Sequence, residues 1–413
     1  MNVRRFHAKV ASAASLALAL GAAALTLAPA SAQAEIKIGA LMPMTGDLQA
    51  YGPASLNGIK LAVDQINSNG GVLGQKLEVV VGDTQTQPQA SIDAAEKLVS
   101  VEGVAGIIGA MSSGDTIPVA KSVAARLRVP MISNASTSPT ITKLDDNDFL
   151  FRSVPSDAFQ GVALAEVTRK HDYSKLAVLY VNNDYGEGLA NSFADAFKKA
   201  GGEVTGSLPY EMGKASYRGE LQQLSKGGPQ GLVLIGYPEN GVTILRQALE
   251  GGFFNKFVFT DGMKAPEVIS AVGAKYLNGS IGTVPQARTD TDAYKRFESA
   301  YREKYGELPP KPFIDTAYDG TMVLAMAIEK AGKTTGTAVR NALREVANPP
   351  GESILPGEWA KAKRLIDDGQ AVNYTGASGS INFDKDGDVS GTFAEWGIVD
   401  GQIKTVRVFE PTM

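Results

Sequence analysis

Two hydroxyl-rich segments and one carboxylate hold most of the chemistry this sequence offers. Gly109-Ala-Met-Ser-Ser-Gly-Asp-Thr116 and Ser133-Asn-Ala-Ser-Thr-Ser-Pro139 each follow a short apolar run, and the first leads into a helix expected from about Asp115. Hydroxyls and backbone N–H groups gathered at a helix start suit a carboxylate. Ordinary N-capping uses the same residue types and is the plain alternative. Later in the chain, Asn182-Asn-Asp-Tyr-Gly-Glu-Gly188 follows another apolar run and offers Tyr185 as an aromatic cover, and Thr260-Asp-Gly262 offers the Asp261 carboxylate to a cation. Donors for an anion in one half and an acceptor for a cation in the other would suit a zwitterion held between them. Each charge-assisted hydrogen bond would contribute roughly 1.5–3 kcal/mol once water is excluded.

Other chemistries fail on residue count or spacing. There is no cysteine, and after the first 34 residues His171 is the only histidine. Thiolate and histidine metal cages are therefore excluded, and a Ser-His-Asp device would have to rest on that one residue. Its setting, Arg169-Lys-His-Asp-Tyr173, reads as a solvated helix end. Gly332-Lys-Thr334 lacks the first glycine of a phosphate loop, Ala327 standing in its place, and neither G-x-S-x-G nor a post-strand G-x-G-x-x-G occurs. Asp384, Asp386, Asp388 and Glu395 match four positions of a calcium loop, but Val389 occupies the position that needs glycine, so an Asp/Gly turn is expected. No enzyme activity, cofactor or metal is expected.

The elements that must position these groups alternate between short β-branched runs and amphipathic stretches, the pattern of parallel sheets with crossover helices. Strands are expected at 36–42, 77–81, 104–108 and 130–132, with helices at 57–67, 89–100 and 115–127. The alternation restarts after Val154-Pro155, with helices at 157–170 and 187–200 and strands at 176–181, 203–208, 231–235 and 257–260. Residues 289–346 read as helical, and strands are expected at 380–384, 393–399 and 404–409. The stretch 349–371 receives no role. The fold class is α/β, with two doubly wound, Rossmann-like lobes whose ligands sit outside the carboxyl ends of the strands.

Export is written at the start of the chain. Arg4, Arg5 and Lys9 precede an Ala/Leu-rich run, and Ala32 and Ala34 form an A-x-A site, so residues 1–34 read as a signal peptide cleaved before Glu35. No later segment approaches the ~20 apolar residues of a spanning helix. The remaining 379 residues carry 37 Lys+Arg against 44 Asp+Glu, a net charge of −7 that disfavours nucleic acid. That length also exceeds what one core usually supports, so two domains are expected.

Specific matches then accumulate: Gly39-Ala-Leu-Met-Pro-Met-Thr-Gly46, Tyr51-Gly52, Asn57-Gly58, Ala62-Val-Asp-Gln-Ile-Asn67, Gly70-Gly-Val-Leu-Gly74, Tyr185-Gly-Glu-Gly188, Tyr318-Asp319 and Gly376 to Asp388. With these, nearly the whole mature chain resembles the leucine/isoleucine/valine-binding proteins of branched-chain amino acid ABC transporters, in the type I periplasmic-binding-protein superfamily. The resemblance implies lobe 1 from 35–153 and 285–388, lobe 2 from 154–284 and 389–413, and a three-crossover hinge near Ser153, Val284 and Asp388. It also implies that Ser113 and Thr137 bind the ligand α-carboxylate, the Ala135 carbonyl and Asp261 bind the ammonium, and Tyr51, Met111, Tyr185 and Tyr237 wall the side-chain pocket. Asp261 is one methylene shorter than the glutamate common at that position, and Asp157 or Asp319 are possible helpers. The function implied is that of a monomeric periplasmic component delivering an aliphatic or neutral L-amino acid to a membrane permease. The alternatives are an aromatic acid, a short amide or urea, or γ-aminobutyrate on the same fold, or a module presenting its ligand to a sensory receptor.

Overall fold

The structure, a computed structural model, describes residues 35–412, so the expected signal segment and its cleavage site lie outside the described residues. Among the described residues fifteen strands form three sheets. The first is built from β1 (Ile36–Met42), β2 (Leu77–Asp83), β3 (Ile107–Gly109), β4 (Met131–Ser133) and β5 (Leu150–Arg152), in the order β2-β1-β3-β4-β5 with every pair parallel. The second takes β6 (Lys175–Val181), β7 (Glu203–Tyr210), β8 (Leu232–Ile235), β9 (Phe257–Phe259) and β10 (Ile281–Pro285). The chain then forms β11 (Glu352–Ile354), β12 (Val372–Gly376) and β13 (Gly379–Ser380), a separate three-stranded sheet. Finally β14 (Phe393–Val399) and β15 (Gln402–Phe409) return to the second sheet, whose order is β15-β14-β10-β9-β8-β6-β7.

The central strands form where β-branched and aromatic residues are covered on both faces. Leu232-Val-Leu-Ile235 is buried at every position, as a central parallel strand between helices requires. The β14–β15 edge is antiparallel, and its two-residue turn has positive φ at Asp400 (53°) and Gly401 (74°), the backbone that matches the twist of a hairpin. Helix Ile314–Ala331 buries nearly its whole circumference. It packs on helix Gly52–Ser68 so closely that a Cβ at Gly58 would lie 2.4 Å from the Ile314 carbonyl oxygen. Thus residues 292–347 add their helices to the side of the five-stranded sheet, through contacts with helix Gly52–Ser68, β3 and β4.

Three expectations change. The strand expected at 380–384 is reduced to Gly379–Ser380, because Asp384 instead accepts from the Asp386 and Asp388 N–H groups and closes a turn. The unassigned stretch 349–371 supplies β11 and helix Trp359–Asp367, which is anchored by the fully buried Trp359 with its indole N–H donating to the Gly71 carbonyl at 3.1 Å. The helix expected over 115–127 begins at Ser113 and widens into a π-helical turn at Ala120–Ala124 beyond Pro118, which has no N–H to give to the regular ladder. Among the described residues no helix is long and apolar enough to cross a membrane.

Candidate functional site

Segments that follow the carboxyl ends of strands from both large sheets meet around one small cavity of about 20 Å³. Leu48 and Tyr51 come from the segment after β1, Met111, Ser112 and Ser113 from the segment after β3, and Ala135 from the one after β4. Tyr185, Tyr237 and Asp261-Gly262 enter from the segments after β6, β8 and β9, and Phe313 completes the lining. Of the eight residues singled out from sequence, seven line this space: Ser113, Ala135, Asp261, Tyr185, Tyr51, Met111 and Tyr237. Thr137 is not among the lining residues. It is fully buried behind them, and its hydroxyl donates to Asp157 Oδ2 at 2.7 Å.

The cavity is closed by contacts between groups from the two sheets. The Tyr51 hydroxyl donates to the Gly262 carbonyl at 3.0 Å, and the Ser112 and Tyr237 hydroxyls lie 3.0 Å apart. Gln49 donates to Glu239 at 2.7 Å on the exposed rim, and Lys311 pairs with Glu267 there. Helix Asp184–Lys199 approaches the segment after β4 so tightly that a Cβ at Gly188 would sit 2.8 Å from Pro139 Cδ. Tyr185 falls in the first turn of this helix rather than before it, because Asn183 is its N-cap and accepts from the Gly186 N–H at 3.0 Å. That first turn sets the Tyr185 ring nearly parallel to Tyr237, with centroids 5.7 Å apart.

Ser113 is buried, and its Oγ accepts from the Ser138 N–H at 3.1 Å, which leaves the hydroxyl proton free to be donated. On the opposite side, Asp261 Oδ1 accepts from Gln160 Nε2 at 2.7 Å and from the Tyr185 hydroxyl at 3.0 Å. Asp157 lies behind it, clamped to Thr137 twice: its N–H donates to the Thr137 carbonyl at 2.7 Å and its Oδ2 takes the Thr137 hydroxyl. Asp157 Oδ1 and Gln160 Oε1 are buried and have no hydrogen-bond partner among the described residues.

Two buried carboxyls therefore lie near enough to influence each other, and no lysine or arginine ion-pairs with either among the described residues. Burial pushes the Asp261 carboxyl up to about 6, against the stabilising hydrogen bonds from Gln160 and Tyr185. Burial, and then the charge of Asp261, push Asp157 well above the usual carboxylate range. Like charges this close resist joint ionisation. Asp261 has two donors and Asp157 one, so the proton stays on Asp157 and the negative charge on Asp261. Asp319, considered as a helper, is committed elsewhere: it accepts from Tyr374 Oη, the Ala377 N–H and both the N–H and hydroxyl of Ser378. His171 is 40 % exposed, but its Nε2 lies 2.8 Å from buried Glu395, so it is paired rather than simply solvated.

Sequence reasoning missed Gln160, Phe313 and Leu48. Gln160 was legible in principle, because it stands one helical turn after Asp157 on the same buried face. Phe313 reaches the cavity from a segment far away in sequence, and no local pattern marks it.

A family described as periplasmic binding protein matches residues 35–375. The leucine-, isoleucine-, valine-, threonine-, and alanine-binding protein of Pseudomonas aeruginosa is 32 % identical over 311 residues, covering 75 % of this chain and 82 % of that protein. Among solved structures, a leucine binding protein from Thermotoga maritima superposes with TM-score 0.78 at 28 % identity, covering 91 % of this chain and 99 % of the other. A branched-chain amino acid transporter substrate binding protein from Streptococcus pneumoniae, solved in complex with isoleucine, gives TM-score 0.76 at 26 % identity, covering 92 % and 100 %.

Proposed function

Because the chain belongs to the periplasmic binding protein family, we propose that it is the solute-binding component of an ABC importer, capturing an aliphatic or neutral L-amino acid between its two lobes. The observation that carries this reading is the charge arrangement of the cavity. A free hydroxyl donor, Ser113, faces it from the side of the five-stranded sheet, and Asp261, an acid with no cationic partner, faces it from the side of the seven-stranded sheet. An α-carboxylate would take the Ser113 hydroxyl. The α-ammonium would enter beside Asp261 and the Ala135 carbonyl, compensating the charge on Asp261 that burial disfavours. Thr137 serves this site through Asp157, which it holds in place behind Asp261 with its proton retained, so that the single negative charge offered to the ammonium is that of Asp261. Tyr51, Met111, Tyr185 and Tyr237, with Leu48 and Phe313, leave an apolar lining for an uncharged side chain.

The branched-chain amino acids named for the relatives fit that lining and support the substrate class. Lobe 1 spans 35–153 and 285–388, lobe 2 spans 154–284 and 389–413, and the chain crosses near Ser153, Val284 and Asp388. Closure about those crossings would present a ligand-loaded monomer in the periplasm to its membrane permease. Titration calorimetry with a panel of free amino acids tests the reading. Saturable heat from leucine, isoleucine or valine is expected, and the absence of heat from every amino acid at millimolar concentration would defeat it.

A further inference from the structure

A second chamber lies beside the first, and the proposed function does not use it. Its volume is about 390 Å³, and Phe313 is a wall of both spaces. Lys264 lines it, only 6 % exposed, and its ammonium makes no hydrogen bond or ion pair among the described residues. A buried ammonium without a partner is costly, and burial holds this one down to about 8. The nearest opposite charge is Asp315, whose Oδ1 accepts from the Thr316 N–H at 3.0 Å and which also lines the chamber without reaching Lys264. The rest of the lining mixes apolar residues such as Phe297, Leu308 and Val408 with polar ones such as Gln286, Glu298 and Thr405.

A cation and an anion that line one chamber without forming an ion pair, beside apolar wall residues, complement a molecule that carries both signs and an uncharged side chain. We propose that this chamber is a second, weaker site for a neutral amino acid, with the α-carboxylate on Lys264 and the α-ammonium on Asp315. The assignment rests on the same substrate class as the proposed function but on none of the same side chains except the shared wall. The chamber is built from both sides of the hinge: Val284 to Thr289, Ile403 and Val408 belong to the seven-stranded sheet and its margin. Tyr294 to Asp315 belong to the helices packed beside the five-stranded sheet. A molecule lodged there would bridge the two lobes and favour the arrangement seen here.

Equilibrium dialysis of labelled L-leucine against the purified protein, from micromolar to about 10 mM, separates the two sites at the concentrations where each saturates. Two classes of site are expected. Lys264→Met should weaken the second class by about tenfold or more, since it removes a buried charge partner. The first class should stay within about twofold, which also reports that the variant is folded. Asp315→Asn should weaken the second class in the same way, and 4-methylpentanoate, which lacks the amine, should not compete for it. A single class in the parent protein, a second class indifferent to both variants, or full competition by the amine-free acid would overturn the proposal. Loss of the first class in Asp261→Ala with the second retained is expected. Persistence of the first class in that variant would instead count against the reading of the first site.

Discussion

Asp261 is the residue on which stability and binding pull in opposite directions. Its carboxyl, pushed up to about 6 from an ordinary 3.8, keeps a proton in the folded protein that the unfolded chain releases at lower pH. Its contribution to stability therefore falls as pH rises between those two values and stays lost above about 6. Asp261→Asn keeps an oxygen for Gln160 and Tyr185 but removes the charge, so it should stabilise the unliganded protein at pH 7 by about 3 kcal/mol. A calorimetric Tm a few degrees higher is expected, and an unchanged or lower Tm would contradict the burial argument. Binding has the opposite sign, because an ammonium needs the ionised carboxylate. Asp261→Ala should weaken leucine by roughly 2–5 kcal/mol. For the parent protein, lowering the pH from 7 to 5 should raise the leucine Kd about tenfold, as protonation competes with the ligand. A Kd flat across that range would remove Asp261 from the ammonium site.

Among the elements, the hairpin β12–β13 shows how much a single buried acid can organise. Asp319, on a helix that is buried nearly all round, spends both oxygens on the turn that joins the two strands, through Tyr374, Ala377 and Ser378. Asp319→Ala would strand those donors in the interior and should cost about 3–5 kcal/mol of unfolding free energy, read by urea denaturation, with the leucine Kd of the folded fraction little changed. A loss below about 1 kcal/mol would show that water replaces the carboxylate there. Elements of this kind were only partly legible in the sequence. β1, helix Asp157–Lys170 and β14 run between the residues expected, because strong period-2 or period-3.6 patterns and clear turn residues bound them. The π-helical turn at Ala120–Ala124 and the shortening at 380–384 are set by one proline and by one Asx turn, which local periodicity does not encode. In the site, the residues after strand ends were legible because parallel sheets gather their loops at one edge. That Thr137 turns its hydroxyl to Asp157 depends on the buried acid beside it, which only tertiary packing supplies.

At the scale of the whole molecule, the closed arrangement depends on close approach as much as on attraction. Across the cleft Gln49 donates to Glu239 and Lys311 pairs with Glu267, contacts worth about 0.5–1.5 kcal/mol for the hydrogen bond and about 0–1 kcal/mol for the ion pair near the surface. At two of the proposed chain crossings, Arg152 is fully buried and holds Asp388 through two hydrogen bonds of 2.6 and 2.7 Å. Gly114 lies against Asn183 and Gly188 against Pro139, so that a Cβ added at either would come within 3.2 Å and 2.8 Å of its neighbour. Gly188→Val places its Cβ where Pro139 Cδ would be 2.8 Å away. Within its own helix the change is neutral or helpful, since glycine is the poorer helix former. Its cost falls on the closed arrangement alone, about 1–3 kcal/mol for overpacking. Affinity for the amino acid should drop about 5- to 150-fold, mainly through faster dissociation. The unliganded Tm should hold or rise. X-ray scattering should then show a molecule that contracts on ligand in the parent protein and contracts less in the variant at equal concentration. Full contraction with unchanged affinity would mean that the two lobes do not need this contact to close.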